Sequence, residues 1–454
     1  MKRDTKAKHS RKHPSQAMAQ GNDHPSVDFD ILIAGGGMVG ASLAAALAPL
    51  ALKIAVVEAV RFGSHGQPSY DDRITAVSWG SRRIFEGIGV WPQIAPQATA
   101  IEHIHISDRG HMGVTRLHAA EMGVEALGYV VPNRVIGDAL SEFLQRHPHI
   151  ALLAPARLES VQMQVHAVCA SLECDATASA KTRLLVAADG AHSQIREQLG
   201  IHAQVWNYGQ SAVICNVSIE RPQAHMAFER FTRAGPLALL PMGEDRYALI
   251  WTVANERVAG ILAMADAEFL TAAATGFNGR LGHFIKAGKR QAYPLSLVRA
   301  QTQMQGRAVV VGNAAHSLHP IAGQGFNLSL RDIAALADVL ADITAAGGDL
   351  GDQRRLGAYI QSRRRDQTGT MLFTDTLTRV FTNPLASVGW ARNLGLLGLE
   401  LFPTARHRLA RLNMGITGRL PRLARGLGIN TGTDCRAGKN DIPPSISEKV
   451  QGMV

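Results

Sequence analysis

Apolar residues along the chain fall into short runs that are typical of buried strands, and three of these runs end in glycine-containing turns. The first run is Ile-Leu-Ile-Ala at residues 31–34, and glycines follow it without a spacer. A short apolar run bounded by turn residues indicates a strand of a parallel sheet that is buried on both faces. Small residues at 41–48 then predict a helix, and residues 54–57 predict the next strand. The pattern therefore predicts a strand, turn, helix and strand over residues 28–58.

The turn of this unit carries a glycine spacing that suits a dinucleotide. Gly35, Gly37 and Gly40 fit the pattern G-x-G-x-x-G, and Met38 lies within it. The first glycine permits the tight turn, the second lets a pyrophosphate approach the backbone, and the third lets the helix pack closely on the strand. Glu58 follows the second strand about twenty residues later, where an acid binds the ribose hydroxyls. Because this carboxylate would repel a 2′-phosphate, the turn is predicted to bind FAD or NAD rather than NADP.

A second apolar run, at residues 184–188, leads into Asp189 and Gly190. Taken alone, an Asp-Gly pair after a strand is more simply interpreted as a turn. Earlier in the chain, Arg73 lies on the approach to a predicted helix with apolar residues at positions 84, 85 and 88. Neither feature defines a function without the motifs that surround it.

The third run, at residues 307–312, leads to Asn313, to a glycine-containing loop and then to a long amphipathic helix through residue 340. Gly323 and Gly325 leave the backbone free to approach a flat ring. The start of the helix offers unpaired N–H groups to a negatively charged edge of a flavin. The loop and the start of the helix also contain Pro320, Gln324, Phe326 and Asn327.

Composition places the chain among large globular proteins. With 454 residues, of which 46% are hydrophobic, it exceeds the usual size of a single core and predicts two closely joined domains. It has no apolar run of about twenty residues that would span a bilayer, and no secretory signal is expected at its start. The 4 cysteines lack metal or disulfide spacing. His316 and His319 lie three apart, but their loop has no Asp, Glu or Cys, so no metal site is predicted.

The formal net charge of +10 raises the question of a nucleic acid or an anionic lipid as partner. Much of the charge lies at the chain ends and aromatic residues make up only 5%, so nucleic acid is not predicted. Residues 379–425 alternate apolar clusters with arginines, and Glu400 is the only acid among them. This segment predicts either a helical cap on the nucleotide domain or a contact with a membrane surface or partner.

The three motifs, in this order and separation, resemble the FAD-dependent aromatic hydroxylases of the para-hydroxybenzoate hydroxylase type, over nearly the whole chain. Within that group, residues 312–316 and 319–328 are similar to the hydroxylases of ubiquinone biosynthesis. Shorter segments are most similar to the 2-polyprenyl-6-methoxyphenol hydroxylase branch; they are residues 107–111, 228–232, 235–238 and 288–290.

The resemblance implies an α/β fold in which a Rossmann-like FAD-binding domain is interleaved with a mixed-sheet substrate domain and followed by a C-terminal helical segment. We expect a disordered basic arm at residues 1–27 and a loose tail at residues 431–454. The parts between them are predicted as follows: a discontinuous FAD-binding domain with inserted strands at 28–200, the substrate sheet at 201–300, the return of the FAD-binding domain at 301–345, and C-terminal helices at 346–430.

The resemblance also implies roles for the residues of the motifs. Gly35, Gly37, Gly40 and Glu58 would hold the ADP half of FAD, and Arg73 would contact the cofactor. Asp189 and Gly190 would belong to a motif that touches both FAD and NAD(P)H, while residues 323–327 would line the isoalloxazine. Where the wider family has an Asp that binds the ribityl chain, this chain has Asn313. Its amide oxygen still accepts a hydrogen bond from a hydroxyl but carries no charge.

The activity that the resemblance implies is ring hydroxylation of a polyprenyl phenol in ubiquinone biosynthesis, with NAD(P)H as co-substrate, O2 as oxidant and a flavin C4a-hydroperoxide as the oxygenating species. A 2-polyprenyl-6-methoxyphenol would be the substrate, and another ring position of the same pathway is the alternative. A prenyl-lipid flavin reductase or oxidase and a non-catalytic flavoprotein subunit also remain open. No catalytic residue is assigned; His316 is a candidate proton relay, and a hydrogen bond to backbone is its simpler role.

Such a substrate is nearly insoluble in water, so it must be collected from a bilayer or a carrier. We therefore expect a cytoplasmic protein that works at the inner face of a membrane as a peripheral protein, together with other proteins of ubiquinone biosynthesis. The sequence leaves open whether residues 379–425 contact the membrane or a protein partner.

Overall fold

The structure is a computed structural model that describes residues 27–62, 73–173, 179–232, 234–243, 245–318, 323–383 and 385–429. Almost all of the predicted arm at residues 1–27, the predicted tail at residues 431–454, and Pro320 lie outside the described residues.

The first ten strands, in chain order, are β1 (Phe29–Ala34), β2 (Ile54–Val57), β3 (Ile74–Ser78), β4 (Thr99–Ile101), β5 (His103–Asp108), β6 (Val114–His118), β7 (Gly128–Pro132), β8 (Ile150–Leu153), β9 (Arg157–Met163) and β10 (Val168–Glu173). The later strands are β11 (Ser179–Ala187), β12 (Ala203–Ile219), β13 (Met226–Phe231), β14 (Leu237–Pro241), β15 (Arg246–Ala254), β16 (Phe284–Ala287), β17 (Gln291–Ala300), β18 (Met304–Gln305), β19 (Ala308–Val310) and β20 (His316–Ser317). The helices are α1 (Met38–Leu47), α2 (Trp79–Ile88), α3 (Trp91–Ile94), α4 (Asn133–Gln145), α5 (Gln194–Gln198), α6 (Asn255–Ala263), α7 (Asp266–Gly276), α8 (Gln324–Ala345), α9 (Gln353–Thr382), α10 (Ala386–Leu401) and α11 (Pro403–Asn413).

The first sheet is built around β1. Among the described residues its main path runs β18-β19-β11-β1-β2-β8, and the hairpin of β9 and β10 joins it at β11. The strands β19, β11, β1, β2 and β8 are parallel to one another. Ile31, Leu32 and Ile33 have no exposed surface, because apolar clusters cover both faces of the sheet. The prediction of a parallel strand that is buried on both faces is confirmed.

Helices cover one face of this sheet as a closely packed layer. α1 contacts both α4 and α8, and α9 packs against α8. The small side chains of α1, such as Ala44 and Ala45, are buried and allow this close approach. α2 begins after Ser78, whose hydroxyl accepts a hydrogen bond from the Ser81 N–H, and ends at Gly89 with φ of +93°.

The second sheet holds most of the remaining strands. Among the described residues its path is β20-β17-β12-β15-β14-β13-β5-β6, with β16 attached to β12. β5 and β6, which lie in the stretch predicted to interrupt the nucleotide domain, belong to this sheet because β5 pairs with β13 in parallel. Residues of α6 and α7 cover one face of the sheet with apolar side chains such as Ile261, Phe269 and Ala273.

The C-terminal helices pack on both parts of the molecule. α10 contacts β5 and β6 of the second sheet, and α11 contacts β6. This part of the chain is therefore not simply the cap on the nucleotide domain that was one of the two predictions. None of the helices in the described ranges combines the length and the hydropathy needed to cross a membrane.

Candidate active site

The three predicted turns lie at one edge of the first sheet. β11 lies beside β1, and β19 lies beside β11. The strand register pairs Ala34 with Ala187, and Ala187 with Val310, so the three strands end at the same level. Ligands bind at the carboxyl edge of an open parallel sheet, because the turns that follow neighbouring strands converge there. The fold thus brings the glycine turn, Asp189 and Asn313 to a single site.

The glycine turn after β1 leaves no room for larger residues. Gly35 has φ of +103°, and a Cβ at this position would lie 2.5 Å from the carbonyl oxygen of Ala188. A Cβ on Gly40 would lie 1.9 Å from the carbonyl oxygen of Gly35, so α1 packs on the turn as the third glycine predicts. Gly37 is the N-cap of α1 and makes no side-chain cap bond. This cradle at a helix N-terminus fits the pyrophosphate of FAD.

Glu58 is held beside the glycine turn. Its Oε2 accepts a hydrogen bond from the Gly36 N–H at 2.7 Å, and its Oε1 accepts one from the Val60 N–H at 3.1 Å. The carboxylate therefore stands at the end of β2, the place where an acid recognises the ribose of a dinucleotide. Met38, the first residue of α1, lines the adjoining cavity.

The turn after β11 is built around Asp189. Its Oδ1 accepts a hydrogen bond from the Ser193 hydroxyl at 2.5 Å, and its Oδ2 accepts one from the Ile195 N–H at 3.2 Å. Gly190 follows with φ of +93° and has open space where a Cβ would stand. Asp189 thus organises the turn, as the simpler interpretation predicts. Gly190 gives the turn a backbone that a ligand can approach.

Arg196 links this turn to the next one, a role that the sequence analysis missed. Its side chain is buried, and its Nη1 donates to the carbonyl oxygens of Ala191 at 3.1 Å and Ala314 at 3.0 Å. The turn at Gly312–Ala314 contains Asn313, whose side chain is exposed to the cavity. The position of Arg196 a few residues after an Asp-Gly turn is the sequence feature that could have revealed it.

The start of α8 presents its backbone to the same cavity, and Gly325 lies in the first turn of this helix rather than in the loop where it was predicted. Gly323 is the N-cap of α8, has φ of +59°, and makes no side-chain cap bond. A Cβ on Gly323 would lie 3.0 Å from the Cβ of Ala76, whereas a Cβ on Gly325 would meet open space. Both glycines line the cavity, as the prediction of a flavin-binding loop requires.

Three other residues of the first turn of α8 hold the start of this helix in place. Asn327 is buried; its Oδ1 accepts a hydrogen bond from the Ser78 N–H at 2.8 Å, and its Nδ2 donates to the Ala76 carbonyl at 2.8 Å. Gln324 donates to the Asn413 carbonyl at 3.3 Å and so ties the start of α8 to α11. Phe326 packs near Phe85, and all three of these residues line the cavity.

Arg73 lies beside Tyr293, an aromatic residue at the cavity that the sequence pattern did not reveal. Its guanidinium lies over the ring of Tyr293, 4.8 Å from the centroid, and both residues line the cavity. Tyr293 belongs to β17, so the contact joins the segment before β3 to the second sheet. Contact of Arg73 with FAD stays a prediction, and its position at the cavity is compatible with it.

A cavity of about 1450 Å³ connects Arg73, Asn313 and residues 323–327 to the rest of the molecule. Met38, beside the glycine turn, and His192, after Asp189 and Gly190, also line it, whereas Glu58 and the three glycines of the turn do not. One wall is the exposed face of the second sheet, with apolar side chains that include Ile104, Ile106, Ala227, Ala238, Leu240 and Ile250. Another wall comes from α9 and α10, through residues such as Leu377, Val388 and Leu396. The cavity therefore extends from a polar end at the cofactor motifs into an apolar region under the C-terminal helices.

His316 lies behind the cavity wall in a buried polar network. Its Nε2 hydrogen bonds to Asp332 at 2.6 Å, and Asp332 also accepts from Arg363 Nε at 2.7 Å and from Gln367 Nε2 at 2.8 Å. Burial acts to raise the pKa of Asp332, but Arg363 and His316 outweigh it and lower this pKa to about 2. The prediction that His316 hydrogen bonds to backbone is wrong, because the partner of its Nε2 is the Asp332 carboxylate. Among the described residues, the cavity lining includes its neighbour Ser317 but not His316, which argues against a proton relay.

Several arginines of residues 379–425 bind within the fold. Arg392 is buried, and its Nε donates to Asp108 at 3.2 Å while its Nη1 donates to backbone carbonyls of α9. Arg406 lies 3.0 Å from Glu121, and Arg422 pairs with acids of α8. These side chains hold the C-terminal segment against the molecule, so Arg392, Arg406 and Arg422 have partners within the fold.

α10 has apolar residues on two opposite faces. Leu396 and Leu399 line the cavity. On the outer face, Trp390 is 65% exposed, Leu394 is 64% exposed and Leu401 is 73% exposed. These three residues, together with Phe402 at 66% exposed, form what we call the outer apolar stripe. A helix that is apolar on both sides is unusual at a water-facing surface and points to a second contact.

Comparison with known proteins identifies relatives across most of the chain. The family model described as FAD binding domain matches residues 28–373. Ubiquinone hydroxylase UbiL of Rhodospirillum rubrum is 36% identical over 404 residues, which cover 88% of this chain and 93% of that protein. The 3-demethoxyubiquinol 3-hydroxylase of Escherichia coli is 32% identical, and the match covers 85% of this chain and 98% of that protein. The human ubiquinone biosynthesis monooxygenase COQ6 is 27% identical over 81% of this chain and 88% of that protein.

Solved structures show the same fold at low sequence identity. p-Nitrophenol 4-monooxygenase PnpA from Pseudomonas putida has a TM-score of 0.71 and 16% identity, and the match covers 86% of this chain and 99% of PnpA. PqsL from Pseudomonas aeruginosa, described as a probable FAD-dependent monooxygenase, has a TM-score of 0.66 and 20% identity, with 81% and 99% covered.

Proposed function

The chain belongs to the FAD-binding domain family together with the ubiquinone hydroxylases, and from this premise we propose that it hydroxylates the aromatic ring of a polyprenyl phenol in ubiquinone biosynthesis. Family membership confirms the expected flavoprotein monooxygenase fold and FAD as the cofactor. Within the proposal, the substrate is a 2-polyprenyl-6-methoxyphenol, the oxidant is O2 and the reductant is NAD(P)H.

The observation that carries this proposal is the continuity of the cavity. It begins at Asn313, at Gly323 and Gly325, and at Met38 beside the glycine turn, and it ends between the second sheet and α9 and α10. Pockets for small ligands usually enclose about 300 to 1000 Å³. At about 1450 Å³, this cavity has room for the flavin ring, a phenol ring and part of a prenyl chain. Its apolar lining at the far end suits the chain rather than a charged group.

The residues present fit FAD in specific ways. The cradle at Gly35 and Gly40 would take the pyrophosphate, and Glu58 would take the ribose. Asn313, which lines the cavity, would bind the ribityl hydroxyls, and the backbone at Gly323 and Gly325 would face the ring. FAD, when bound, supplies the activation of O2 with electrons from NAD(P)H. With a single dinucleotide fingerprint, NAD(P)H would reach the flavin transiently rather than through a domain of its own.

The protein's own contribution is positioning and exclusion of water. Ile106, Ala238 and Ile250 on the sheet wall would hold the phenol ring against the cofactor loops. Leu377 and Leu396 would enclose the prenyl chain, which keeps the ring oriented and the site dry.

We also propose that the protein is peripheral on the inner face of a membrane and that the outer apolar stripe of α10 makes this contact. The opposite face of the same helix lines the cavity, so a prenyl chain would have a short path from the bilayer to the site. We propose other proteins of ubiquinone biosynthesis as partners, because a substrate that is nearly insoluble in water can also be delivered by a protein.

A second candidate is hydroxylation at another ring position of the same pathway. It is favoured by the similarity to the Escherichia coli 3-demethoxyubiquinol 3-hydroxylase, which is 32% identical over 85% of this chain. The apolar sheet wall would contact the ring in either reaction, and a different ring carbon would face the cofactor loops.

The test is product analysis. A strain that lacks the gene should accumulate one ring intermediate, and its structure names the missing hydroxylation. The purified holoprotein with NAD(P)H, O2 and a short-chain polyprenyl phenol should yield a product heavier by one oxygen atom. Consumption of NAD(P)H without an oxygenated product would indicate a flavin reductase or oxidase. Bound FAD with no NAD(P)H consumption would indicate a non-catalytic subunit.

A further inference from the structure

Glu229 is the one carboxylate among the described residues that line the cavity. It lies near the middle of β13, where the register pairs it with Ile106 of β5 and with Ala238 of β14. Ala227 and Phe231 are its neighbours on the same face of the strand, because side chains alternate along a strand. The accessible part of Glu229 therefore faces an otherwise apolar wall. Such a position is costly for an ionised carboxylate and calls for a partner.

The charged groups on the elements around Glu229 are engaged elsewhere. On β13 itself, Arg230 donates to the Ser107 hydroxyl at 3.2 Å. On β5, Asp108 is bound by Arg392 of α10 at 3.2 Å. β14 has the sequence Leu-Ala-Leu-Leu-Pro and carries no titratable side chain.

The other titratable groups at the cavity do not neutralise Glu229. Arg73 lies over Tyr293, and His192 lies in the turn after β11. Burial is the single cause that raises the pKa of Glu229, to about 8, so no neighbouring charge in the described structure offsets it. His105 of β5 points away from this wall, since it alternates with Ile106.

We propose that Glu229 is a catalytic base that accepts the proton of the substrate's phenol hydroxyl, an inference that rests on the proposed function. When the O–H bond breaks, the proton passes to the carboxylate, and the bonding electron pair stays on the oxygen and is delocalised into the ring. The ring carbon is then a stronger nucleophile toward the oxygen atom delivered at the cofactor.

The remaining steps return the site to its starting state. NAD(P)H supplies two electrons, one oxygen atom of O2 enters the ring and the other leaves as water. After the new C–O bond forms, the ring carbon loses its hydrogen as a proton that joins the second oxygen atom as this leaves as water, and Glu229 returns its own proton to the ring oxygen. The ring regains aromaticity, and the carboxylate is ready for the next substrate.

The pH dependence follows from the direction of the pKa shift. The pKa of Glu229 lies at about 8, above the ordinary value of about 4.3. The carboxyl is therefore mostly neutral at pH 7, and the base form is populated as the pH rises through about 8. Hydroxylation by the wild type should accordingly rise through this range and then level off.

The first experiment compares Glu229→Gln with Glu256→Gln, a matched change at an exposed residue of α6. Glu229→Gln should keep its FAD and lose about 100-fold or more in kcat, as expected when a general base is removed. It should also lose the rise through pH 8, whereas Glu256→Gln should retain both. A ring-fluorinated phenol that is already ionised should need no base, so the deficit of Glu229→Gln should become small with it. Equal pH profiles in the wild type and Glu229→Gln, or an unchanged deficit with the fluorinated phenol, would overturn the assignment.

The second experiment needs binding but no turnover, so it separates this inference from the proposed function. Infrared difference spectra are recorded when a short-chain polyprenyl phenol is added to the holoprotein without NAD(P)H. A carboxylic acid C=O band should shift in the wild type and be absent in Glu229→Gln. If the phenol perturbs the flavin absorbance but not this band, Glu229 does not face the hydroxyl. If the band shifts but no phenol is ever hydroxylated, the proposed function fails while the contact stands. If neither responds, the substrate class is wrong and the assignment falls with it.

Discussion

At the scale of single residues, the glycines differ in the space that a methyl group would have if it were added at each position. A Cβ on Gly40 would lie 1.9 Å from the carbonyl oxygen of Gly35, whereas a Cβ on Gly369 in α9 would meet open space. Gly40→Ala should displace the glycine turn, cost about 1 to 3 kcal/mol of stability and reduce the bound FAD. Gly369→Ala should stabilise α9 by about 0.5 to 1 kcal/mol and leave FAD unchanged. Thermal unfolding and the flavin absorbance per protein measure both effects, and full FAD occupancy in Gly40→Ala would place the cofactor elsewhere.

Asn313 tests the ribityl end of the site. Its side chain is exposed to the cavity at the turn after β19, and its amide oxygen can accept a hydrogen bond from a hydroxyl. Asn313→Asp should retain FAD, because a carboxylate accepts the same bond. Asn313→Leu should weaken FAD binding by about 1 to 3 kcal/mol, because a buried hydroxyl loses its partner. Titration of the apoprotein with FAD gives the three affinities, and equal values would remove Asn313 from the site.

Residue roles that depend on local geometry were predictable, and roles that depend on distant partners were not. Gly40 and Glu58 could be assigned because the strand, turn, helix and strand lie within one short segment. The partner of His316 is Asp332, which lies 16 residues further along the chain in α8, and no pattern in the loop indicates this contact. The place of Glu229 in the cavity wall likewise depends on its pairing with Ala238 and Ile106, which belong to other strands.

At the scale of elements, a buried ionic network joins α8 to α9. Asp332 of α8 accepts hydrogen bonds from Arg363 and Gln367 of α9, and all three are buried. Asp332→Asn should lower the free energy of unfolding by about 1 to 3 kcal/mol, since the buried Arg363 guanidinium loses one of its two carboxylate partners and keeps Asp366. Arg379→Gln, which removes an exposed pair within α9, should cost under about 1 kcal/mol. Denaturant unfolding measures both, and similar small losses would show that the network is dispensable.

The same network gives a signed dependence on pH. The pKa of Asp332 is lowered to about 2, below the ordinary value of about 3.9. A lowered pKa stabilises the fold above the unfolded-state pKa, and this stabilisation is lost as the pH falls toward 2. Between pH 5 and pH 2 the wild type should lose about 2 to 3 kcal/mol that the Asp332→Asn variant does not lose. Parallel stability curves for the two proteins would contradict the assigned pKa.

Hydrophobic alternation predicted elements better than it predicted where they end or with what they pair. Apolar and polar residues alternate at 161–167, a pattern that predicts one strand, but β9 ends at Met163 and the Gln164 N–H donates to the Ala167 carbonyl to close a turn. Val165 in this turn is 82% exposed, so its apolar side chain does not mark a buried position of a strand. The alternation at residues 101–107 likewise predicts a strand, but the membership of β5 in the second sheet follows from its pairing with β13, which lies far along the chain.

At the scale of the whole molecule, the cavity is the feature that no single segment could predict. It needs the cofactor turns, the second sheet and α9 and α10 in one arrangement. The arginine-rich character of residues 379–425 indicated a surface contact, yet Arg392 and Arg406 are used inside the fold. The side chains that are left to contact a membrane are those of the outer apolar stripe and exposed cations such as Arg408.

The last prediction concerns this stripe. Burial of a large apolar side chain contributes about 1.5 to 3 kcal/mol, and a basic residue near an anionic surface contributes about 1 kcal/mol. The double variant Trp390→Ser with Leu394→Ser should therefore weaken binding to liposomes at least about 10-fold, at both low and high salt. Arg408→Glu should weaken binding only to anionic liposomes and only at low salt, because salt screens the charge. Arg406 is unsuitable for this test, since its pairing with Glu121 supports the fold.

The matched control is Val165→Ser, which removes an apolar side chain that is 82% exposed near the first sheet, away from α10. It should bind liposomes as the wild type does, in co-sedimentation with anionic and neutral vesicles. All four proteins should retain FAD and the same melting temperature, because these side chains make few contacts within the fold. If the double variant binds as well as Val165→Ser, the stripe is not the membrane contact. α10 would then act only as a wall of the cavity, and a partner protein would have to deliver the substrate.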